Sequence, residues 1–510
     1  MNPAEFKSIV LGGGTAGLLA AISLKRGFAA ADVKVVRSRE IGVIRVGEST
    51  TPTFPWFLHQ VLGLSPKVFF ERARPTWKLG IRFLWGPRGE FNYAFATQLD
   101  SQKPDLPRSN GFYCHDDFTD VNLPSALMSR RKVFPIDAEG RMRMDAFTPA
   151  YHLENERLVE FLEWQARELG IELIDDTLEQ ATTDGENIKE LYLRSGRRLS
   201  ADLYVDASGF AALLVGKALG EPFVDYSDAL FCDRAVVASR AYEPGESIDP
   251  FTTAETYSSG WCWRIDHDDR CNRGYVYSSK YLSDEQAELE FRSKNPPMKD
   301  SRVVKYRTGR RRRLWVGNVV AVGNSGGFVE PLEATALMLL SAQCRFMVQN
   351  LIDSQLEMSD AMRSLHNRFM LNHWDDTRNF LALHYRFNTR LDTPFWKDCR
   401  NVPLHGATEL VDFYQVHGPS RLPRGVLLSE NNLFGLDGHL ALLVGMRVPY
   451  QRIYQPTEPE RIRWHEHKQR NREMADKAVT VRQALAALRQ NSAANHGPQV
   501  QPPSSPAAMA

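Results

Sequence analysis

The feature that most constrains this chain is a glycine cluster, Gly12-Gly13-Gly14-Thr15-Ala16-Gly17, near its start. Residues 6–11 before it are mostly apolar and predict a short buried strand; residues 15–26 after it predict a helix of small and apolar residues. Three glycines in a GxGxxG frame have separate tasks between a strand and a helix. Gly12 permits a tight turn, Gly14 lets backbone approach a pyrophosphate, and Gly17 lets helix and strand pack closely. The helix N-terminus, with Thr15 and Ala16 in its first turn, attracts phosphate charge. The chain therefore begins as a dinucleotide-binding βαβ unit. Val33 to Val36 supplies its second strand, but Arg37 and Ser38 stand where an acid for the ribose hydroxyls is expected. Arg37 is read as a stacking partner for adenine, a phosphate contact, or a solvated strand end.

Two later segments repeat the pattern of an apolar strand running into a small polar turn. One is Asp202-Leu203-Tyr204-Val205-Asp206-Ala207-Ser208-Gly209; the other is Val320-Ala321-Val322-Gly323-Asn324-Ser325. A glycine loop first, Asp-x-x-Gly in the middle and Gly-Asp late resembles the order in flavoproteins of the aromatic-hydroxylase type. That likeness implies FAD, with Asp206, Gly323 and Asn324 among its contacts. Asn324 replaces the usual late Asp, and an amide still donates and accepts hydrogen bonds.

The chain's 510 residues are enough for a large core and more than one structural unit. Net charge is +1, so bulk charge makes no case for nucleic acid or an anionic membrane. No apolar run of about 18 residues predicts a transmembrane helix. The glycines inside the N-terminal apolar stretch argue against a signal peptide, which points to the cytoplasm. The six cysteines (Cys114, Cys232, Cys262, Cys271, Cys344, Cys399) form no CxxC pair and read as reduced thiols. His465-Glu466-His467 lacks HExxH spacing, so no metal site is expected.

Further along, Leu153 to Leu169 shows helical spacing and Ile171 to Ile174 a strand. Ile188 through Leu199, Leu203 and Val205 predicts a hairpin, and Val319 to Val322 another buried strand. Long helical patterns follow at Leu337 to Leu351, Met358 to Tyr385 and Glu458 to Leu488. The last twenty residues are rich in Pro, Ser, Ala and Gln and read as disordered. The fold class expected is α/β: a FAD-binding Rossmann-like domain with mixed β-sheets, then a mainly helical C-terminal subdomain. The boundaries are 1–350 for FAD binding and chemistry, 351–490 for helices covering the substrate, and 491–510 for the tail.

Several separated segments carry a more specific likeness. They are Gly47-Glu48-Ser49-Thr50-Thr51-Pro52, Pro75-Thr76-Trp77-Lys78-Leu79-Gly80, Gly260-Trp261-Cys262-Trp263-Arg264-Ile265, Gly274-Tyr275-Val276-Tyr277-Ser278-Ser279, and Phe328-Val329-Glu330-Pro331-Leu332-Glu333-Ala334-Thr335. In this order they resemble, respectively, the VGEAT-x-P flavin strap, the essential-lysine segment, the start of WxWxIP, the stretch following it and FVEPLEST of the flavin-dependent tryptophan-halogenase family. The likeness spans most of residues 6–400.

It implies that a separate NAD(P)H-dependent flavin reductase supplies reduced FAD. Reduced FAD, dioxygen and halide then give hypohalous acid, which halogenates a small indole- or phenol-like aromatic held away from the flavin. In that family Lys78 would hold or activate the oxidant, by hydrogen bonding or as a haloamine, and Glu333 would assist and take the ring proton. Gly47, Glu48, Ser49 and Thr50 would lie beside the flavin. Backbone N–H groups of Thr335 and Ala336 would hold halide, and Trp261 and Trp263 would bar substrate from the flavin, unless they are simply core. A lysine ammonium suits hydrogen bonding to hypohalous acid, and a carboxylate suits an arenium cation and its proton. Aromatic walls are expected from Phe91-Asn92-Tyr93, Phe95, Phe112-Tyr113 and Trp464.

The chain departs from the family pattern at Asp266 for the proline of WxWxIP, at Ala334 for serine and at Ala336 for glycine. A positive φ at Ala336 would cost it about 1 kcal/mol. The departures keep two other functions in play: an aromatic hydroxylase, and a flavoprotein on this scaffold that does not halogenate. The run Arg310 to Arg313 reads as a solvated face or reductase-docking patch. Substrate identity, free or carrier-bound, and a homodimer are left open.

Overall fold

The computed structural model describes residues 2–40, 47–96, 119–296, 298 and 300–493. At its centre is a six-stranded sheet ordered Trp315–Val316, Val319–Ala321, Leu203–Asp206, Lys7–Leu11, Asp32–Arg37 and Glu172–Asp175. All its pairings are parallel except the first. Parallel strands need crossovers, and the helix Thr15–Gly27 provides the first. Gly17 through Leu24 are buried because that helix lies between this sheet and the helix Thr335–Asp353. An all-round apolar sequence is what such a position demands.

A second sheet of seven strands runs Ser301–Lys305, Arg234–Ala241, Arg270–Tyr277, Gly260–Asp266, Thr252–Tyr257, Gly80–Leu84, Phe91–Ala94. It is antiparallel but for Thr252–Tyr257 beside Gly80–Leu84. A small three-stranded sheet places Ala150–Glu154 between Gly47–Ser49 and Thr76–Lys78. The α/β class with mixed sheets and a helical C-terminal part is as the sequence predicts.

Two large apolar cores organise these layers. One gathers the central sheet and its helices with Trp77 and Leu79. The other gathers the seven-stranded sheet, including Ile81 and Phe83, with the helices beyond residue 370. The chain passes from one core to the other at residues 77–83, next to Lys78. The five cysteines among the described residues are free and buried. No helix among the described residues is long and apolar enough to cross a membrane, and none of their His, Cys, Asp and Glu side chains cluster as metal ligands.

Three expectations need correction. The hairpin after Ile188 returns only through Arg198–Leu199; Leu203–Asp206 leaves it and joins the central sheet. The pattern from Glu458 to Leu488 is two helices, Glu458–Asp476 and Val481–Ala493. Between them Val479 pairs as a β-bridge with Phe134, exchanging backbone hydrogen bonds of 2.8 and 2.9 Å with Val133 and Phe134. Thr480 and Gln483 then cap the second helix reciprocally, at 2.8 and 3.3 Å. That Thr-x-x-Gln signature was present in the sequence. The second helix also enters the first three residues of the expected disordered tail; residues 494–510 lie outside the described residues. Third, Arg310 to Arg313 are engaged by the chain's own groups, and of the four only Arg312 is exposed, at 63% of its side chain. Arg310 pairs with Asp375, Arg312 and Arg313 with Glu221, and Arg313 also with Glu186. Arg311 donates to the Glu221 carbonyl at 2.9 Å. The chain's own acids close on the run.

Thr480→Ala removes the hydroxyl half of the cap and is expected to cost about 1 kcal/mol. A lower thermal midpoint with unchanged FAD binding is the predicted result; an unchanged midpoint would show that the bridge at Val479 alone sets the break.

Candidate active site

The glycine loop meets its neighbours closely on one side and open space on the other. A Cβ on Gly12, whose φ is +122°, would lie 2.2 Å from the Ala207 carbonyl oxygen, and one on Gly17 would lie 1.9 Å from that of Gly12. A Cβ on Gly14 would meet nothing within 4 Å. Gly14 is also the N-cap of the helix, and no side chain caps it. Free N–H groups thus face open space at the positive end of a helix dipole, which fits the pyrophosphate of FAD. The Thr15 hydroxyl donates to Asn155 Oδ1 at 2.8 Å. A Cβ on Gly323 would come within 2.7 Å of the Ala16 Cβ, so the late turn Gly323–Ser325 sits on the first helical turn.

Arg37 packs against Gly13, where a Cβ would meet its own at 2.5 Å. It is only 8% exposed, which rules out a solvated strand end. One of its terminal nitrogens pairs with Glu163, and its buried Nε has no partner. Asp206 serves its own loop. Its carboxylate accepts from the Ser208 backbone and hydroxyl at 3.1 and 2.6 Å and from the Leu214 and Val215 N–H groups at 2.8 Å each.

The three-stranded sheet sets the second half of the site. Alternation along Thr76–Lys78 sends Trp77 into the first core and Thr76 and Lys78 to the other face. Lys78 is fully buried. Its ammonium donates to Ser49 Oγ at 2.7 Å and to the Thr50 carbonyl at 3.0 Å, and lies 4.8 Å from the centre of the Phe95 ring. Thr50 is held in turn by Tyr151, whose N–H donates to its hydroxyl at 2.7 Å. Burial lowers the Lys78 pKa to about 7, and the charge of Glu333 opposes that fall. Neighbouring Glu48 is half-buried, and desolvation lifts its carboxyl to about 7. Gly47 has room for no Cβ, with Asn272 and His267 atoms 2.5 Å from where one would stand.

Glu333 approaches from the segment between the two cores. Glu333 and Ala334 both adopt left-handed backbone, with φ of +69° and +57°. The strain expected at Ala336 falls on these two residues instead, because Ala336 lies in the first turn of the helix Thr335–Asp353. Each such residue costs about 1 kcal/mol or more, and strain of this kind collects at functional turns. The turn buries Glu333, and Oε1 meets His384 Nε2 at 2.9 Å. His384 Nδ1 lies 3.1 Å from the Phe380 carbonyl, which only accepts, so Nδ1 carries a hydrogen. A hydrogen bond to Glu333 then requires a further proton between Nε2 and the carboxyl group.

Gly323, Asn324, Thr335, Ala336, Gln343 and Trp374 line one narrow crevice. The expected flavin turn and the expected halide residues therefore meet. The Thr335 hydroxyl, Gln343 Nε2 and Trp374 Nε1 are all buried without partners, so three residues lining this small space carry unpaired hydrogen-bond donors, a composition that suits an anion. Trp261 and Trp263 lie in the second core, 1% and 7% exposed, with ring centres 6.0 Å apart. Trp261 Nε1 donates to Glu330 Oε1 at 3.1 Å, Tyr385 donates to the same oxygen, and burial lifts the Glu330 carboxyl to about 7. Phe91, Tyr93 and Trp464 share that core. Phe112 and Tyr113 lie outside the described residues. The departure at Asp266 is accommodated locally: its carboxylate takes Arg264 at 2.9 and 3.0 Å.

Sequence reasoning missed His384, Tyr385, His152 and Thr252. The last two stand behind Ser49 and Lys78, and no spacing signals their convergence from separate strands. Glu330 was visible in its motif but had no assigned role.

Residues 7–458 match the model of the tryptophan halogenase family. Tryptophan 7-halogenase RebH of Lentzea aerocolonigenes is 31% identical over 440 residues, 80% of this chain and 82% of its own length. Tryptophan 6-halogenase ThaL of Streptomyces albogriseolus is 29% identical over 442 residues, 81% of this chain and 83% of its own. Among solved structures, MibH, a lathipeptide tryptophan 5-halogenase, superposes with a TM-score of 0.88 at 35% identity, covering 97% of this chain and 95% of that one. The tryptophan 6-halogenase SttH of Streptomyces toxytricini superposes at 0.84 and 28%, covering 94% and 100%.

The two faces of the glycine loop give opposite expectations. Gly14→Ala leaves the melting temperature of the FAD-free protein nearly unchanged and weakens FAD binding by about tenfold or more, through the lost close approach of backbone to phosphate. Gly17→Ala lowers the melting temperature itself. Normal FAD affinity in Gly14→Ala would contradict this placement of the cofactor.

Proposed function

The chain belongs to the tryptophan halogenase family and is a flavin-dependent enzyme, and on that premise we propose that it halogenates an indole- or phenol-like ring with Lys78 and Glu333 at the reacting centre. Bound FAD, reduced by a separate NAD(P)H-dependent flavin reductase, supplies the electrons with which dioxygen oxidises halide to hypohalous acid. Gly12, Gly14, Thr15, Ala16 and Gly17 hold its phosphate end, with Arg37 beside them. Gly323, Asn324 and the strap Gly47, Glu48, Ser49 and Thr50 hold the rest; Asp206 supports them through its loop. Halide sits at the N–H groups of Thr335 and Ala336, within reach of the unpaired donors of the crevice. Trp261 and Trp263 wall the aromatic substrate from the flavin, and residues 351–490 cover it. The buried free thiols suit a reducing compartment such as the cytoplasm.

The observation that carries this reading is a buried lysine whose pKa feels one buried carboxylate. Two Lys78 N–H groups are engaged by Ser49 and Thr50, so the ammonium has one left for the oxygen of hypohalous acid. That donation makes the halogen a better electrophile, and water leaves once the oxygen takes a proton. Glu333 faces the cationic ring, stabilises it and takes the proton from the substituted carbon. His384 stands behind Glu333, with Nε2 2.9 Å from Oε1, and orients the carboxyl group. An amine at Lys78 that donated to the same two acceptors would have no N–H left.

With a flavin reductase, FAD, NADH, and chloride or bromide, the protein is expected to halogenate members of a panel of free tryptophan, other indoles, phenols and tryptophan-containing peptides. The products carry halogen isotope pairs. Lys78→Ala and Glu333→Gln should each lose at least a hundredfold in kcat, the lower range of one acid–base contribution. Halogenation that persists in Lys78→Ala would remove the reading, and labelled dioxygen entering a product without halide would identify a hydroxylase. Because Lys78 titrates near 7 and acts here as ammonium, kcat should fall as pH rises through about 7. A rise through the same range would assign the work to the amine.

A further inference from the structure

Behind Lys78 runs a chain of buried hydrogen bonds that no motif announced. Lys78 Nζ donates to Ser49 Oγ at 2.7 Å. Ser49 Oγ lies 2.9 Å from Thr252 Oγ1, which lies 2.9 Å from His152 Nε2. His152 Nδ1 lies 3.2 Å from the Asp266 carbonyl oxygen, which also accepts from the Thr76 hydroxyl at 2.7 Å. Five segments converge here: Gly47–Ser49, Thr76–Lys78, Ala150–Glu154, Thr252–Tyr257 and Gly260–Asp266.

The direction of this chain follows from its far end. A backbone carbonyl only accepts, so His152 Nδ1 carries the ring hydrogen. Nε2 of the neutral ring then only accepts, and Thr252 must donate to it. The Thr252 hydroxyl has a single hydrogen, so it must accept from Ser49. Ser49 has a single hydrogen too, so toward Lys78 it can only accept. We propose that His152 is a positioning residue for Lys78: acting through Thr252 and Ser49, it obliges Ser49 to accept an N–H of Lys78 and so aims the remaining N–H at the reacting centre.

This inference rests on Lys78 acting as proposed above. Burial and the charge of Lys78 hold the His152 pKa well below its usual value, which keeps the ring neutral and the direction constant. Glu48 precedes Ser49, and burial lifts its carboxyl to about 7. Glu333 acts on Lys78. His267 bears on His152 and itself contacts Asn272 at 3.0 Å and Glu154 at 3.3 Å. The Asp266 side chain is paired with Arg264. A reversed chain is also defined. If the Lys78 proton moves to Ser49, the Ser49 proton to Thr252 and the Thr252 proton to His152 Nε2, the result is a Lys78 amine and a His152 imidazolium. The net charge is unchanged, but the amine lone pair then receives the Ser49 hydrogen. A neutral His152 disfavours that state.

Breaking the chain frees the Ser49 hydrogen to turn toward Lys78, or removes the acceptor altogether; both favour the amine. Ser49→Ala should therefore lower the Lys78 midpoint by about one unit, the scale of one hydrogen bond to a charged group. Thr252→Val and His152→Phe should shift it the same way by less, and Thr252→Ser should restore it. Two readouts apply: the pH at which Lys78 becomes half-reactive toward cyanate, followed by peptide mass spectrometry on the FAD-free protein, and the alkaline limb of kcat. Both should move together while KM for the aromatic substrate stays constant. A purely structural role would lower the melting temperature and leave both midpoints in place. Wild-type midpoints in folded Thr252→Val and Ser49→Ala would overturn the inference even if Lys78→Ala is inactive. Full activity in Lys78→Ala would instead defeat the functional reading, whatever the midpoints do.

Discussion

A single desolvated cation governs this site. Lys78 lies on a short strand at the junction of two apolar cores, and water does not reach it. A buried ammonium persists only with hydrogen-bond acceptors and a counter-charge. The three-stranded sheet supplies the acceptors, Ser49 Oγ and the Thr50 carbonyl, and Glu333 supplies the charge. The seven-stranded sheet closes the arrangement through Thr252 and the Asp266 carbonyl. Remove the burial and Lys78 is an ordinary surface base; remove the partners and the cation is lost.

In the proposed function the same geometry separates oxidising power from its use. The glycine loop and the turn at Gly323 lie on the central sheet. From that turn the chain passes the crevice and then, through two left-handed residues, delivers Glu333 and starts the helix Thr335–Asp353. A few residues thus connect the turn proposed for the cofactor, the crevice proposed for the anion and the Glu333 carboxylate. The strain at Glu333 and Ala334 is the local cost of turning the chain that sharply. Trp261 stands across this connection and is fixed by Glu330, from the same segment, and by packing in the second core.

Much of this was legible in the sequence because it is local. A strand, a glycine turn and a helix are contiguous, and the residues that shape them must be small or apolar. Lys78 and Glu333 were found through their motifs, since a lone lysine or glutamate carries no signal. The rest was hidden for physical reasons. His152, Thr252 and His384 matter by contacts between residues far apart in the chain, and each is an ordinary core position on its own element. The pairing of Arg310 to Arg313 was hidden because their partners, Glu186, Glu221 and Asp375, are distant in sequence. Asp206 looked like a ligand, but its oxygens are engaged by its own loop. The break at Val479 was written in Thr480 and Gln483 and overlooked, because periodic charge on both sides reads as one helix.

Burial that brings the Lys78 pKa down to about 7 is the constraint from which the rest follows, and it is open to direct titration. In protein labelled with 13C-lysine, the Lys78 Cε signal is identified by its loss in Lys78→Met and followed with pH. The account predicts a midpoint near 7. A midpoint near 10.5, where an exposed lysine titrates, would contradict it.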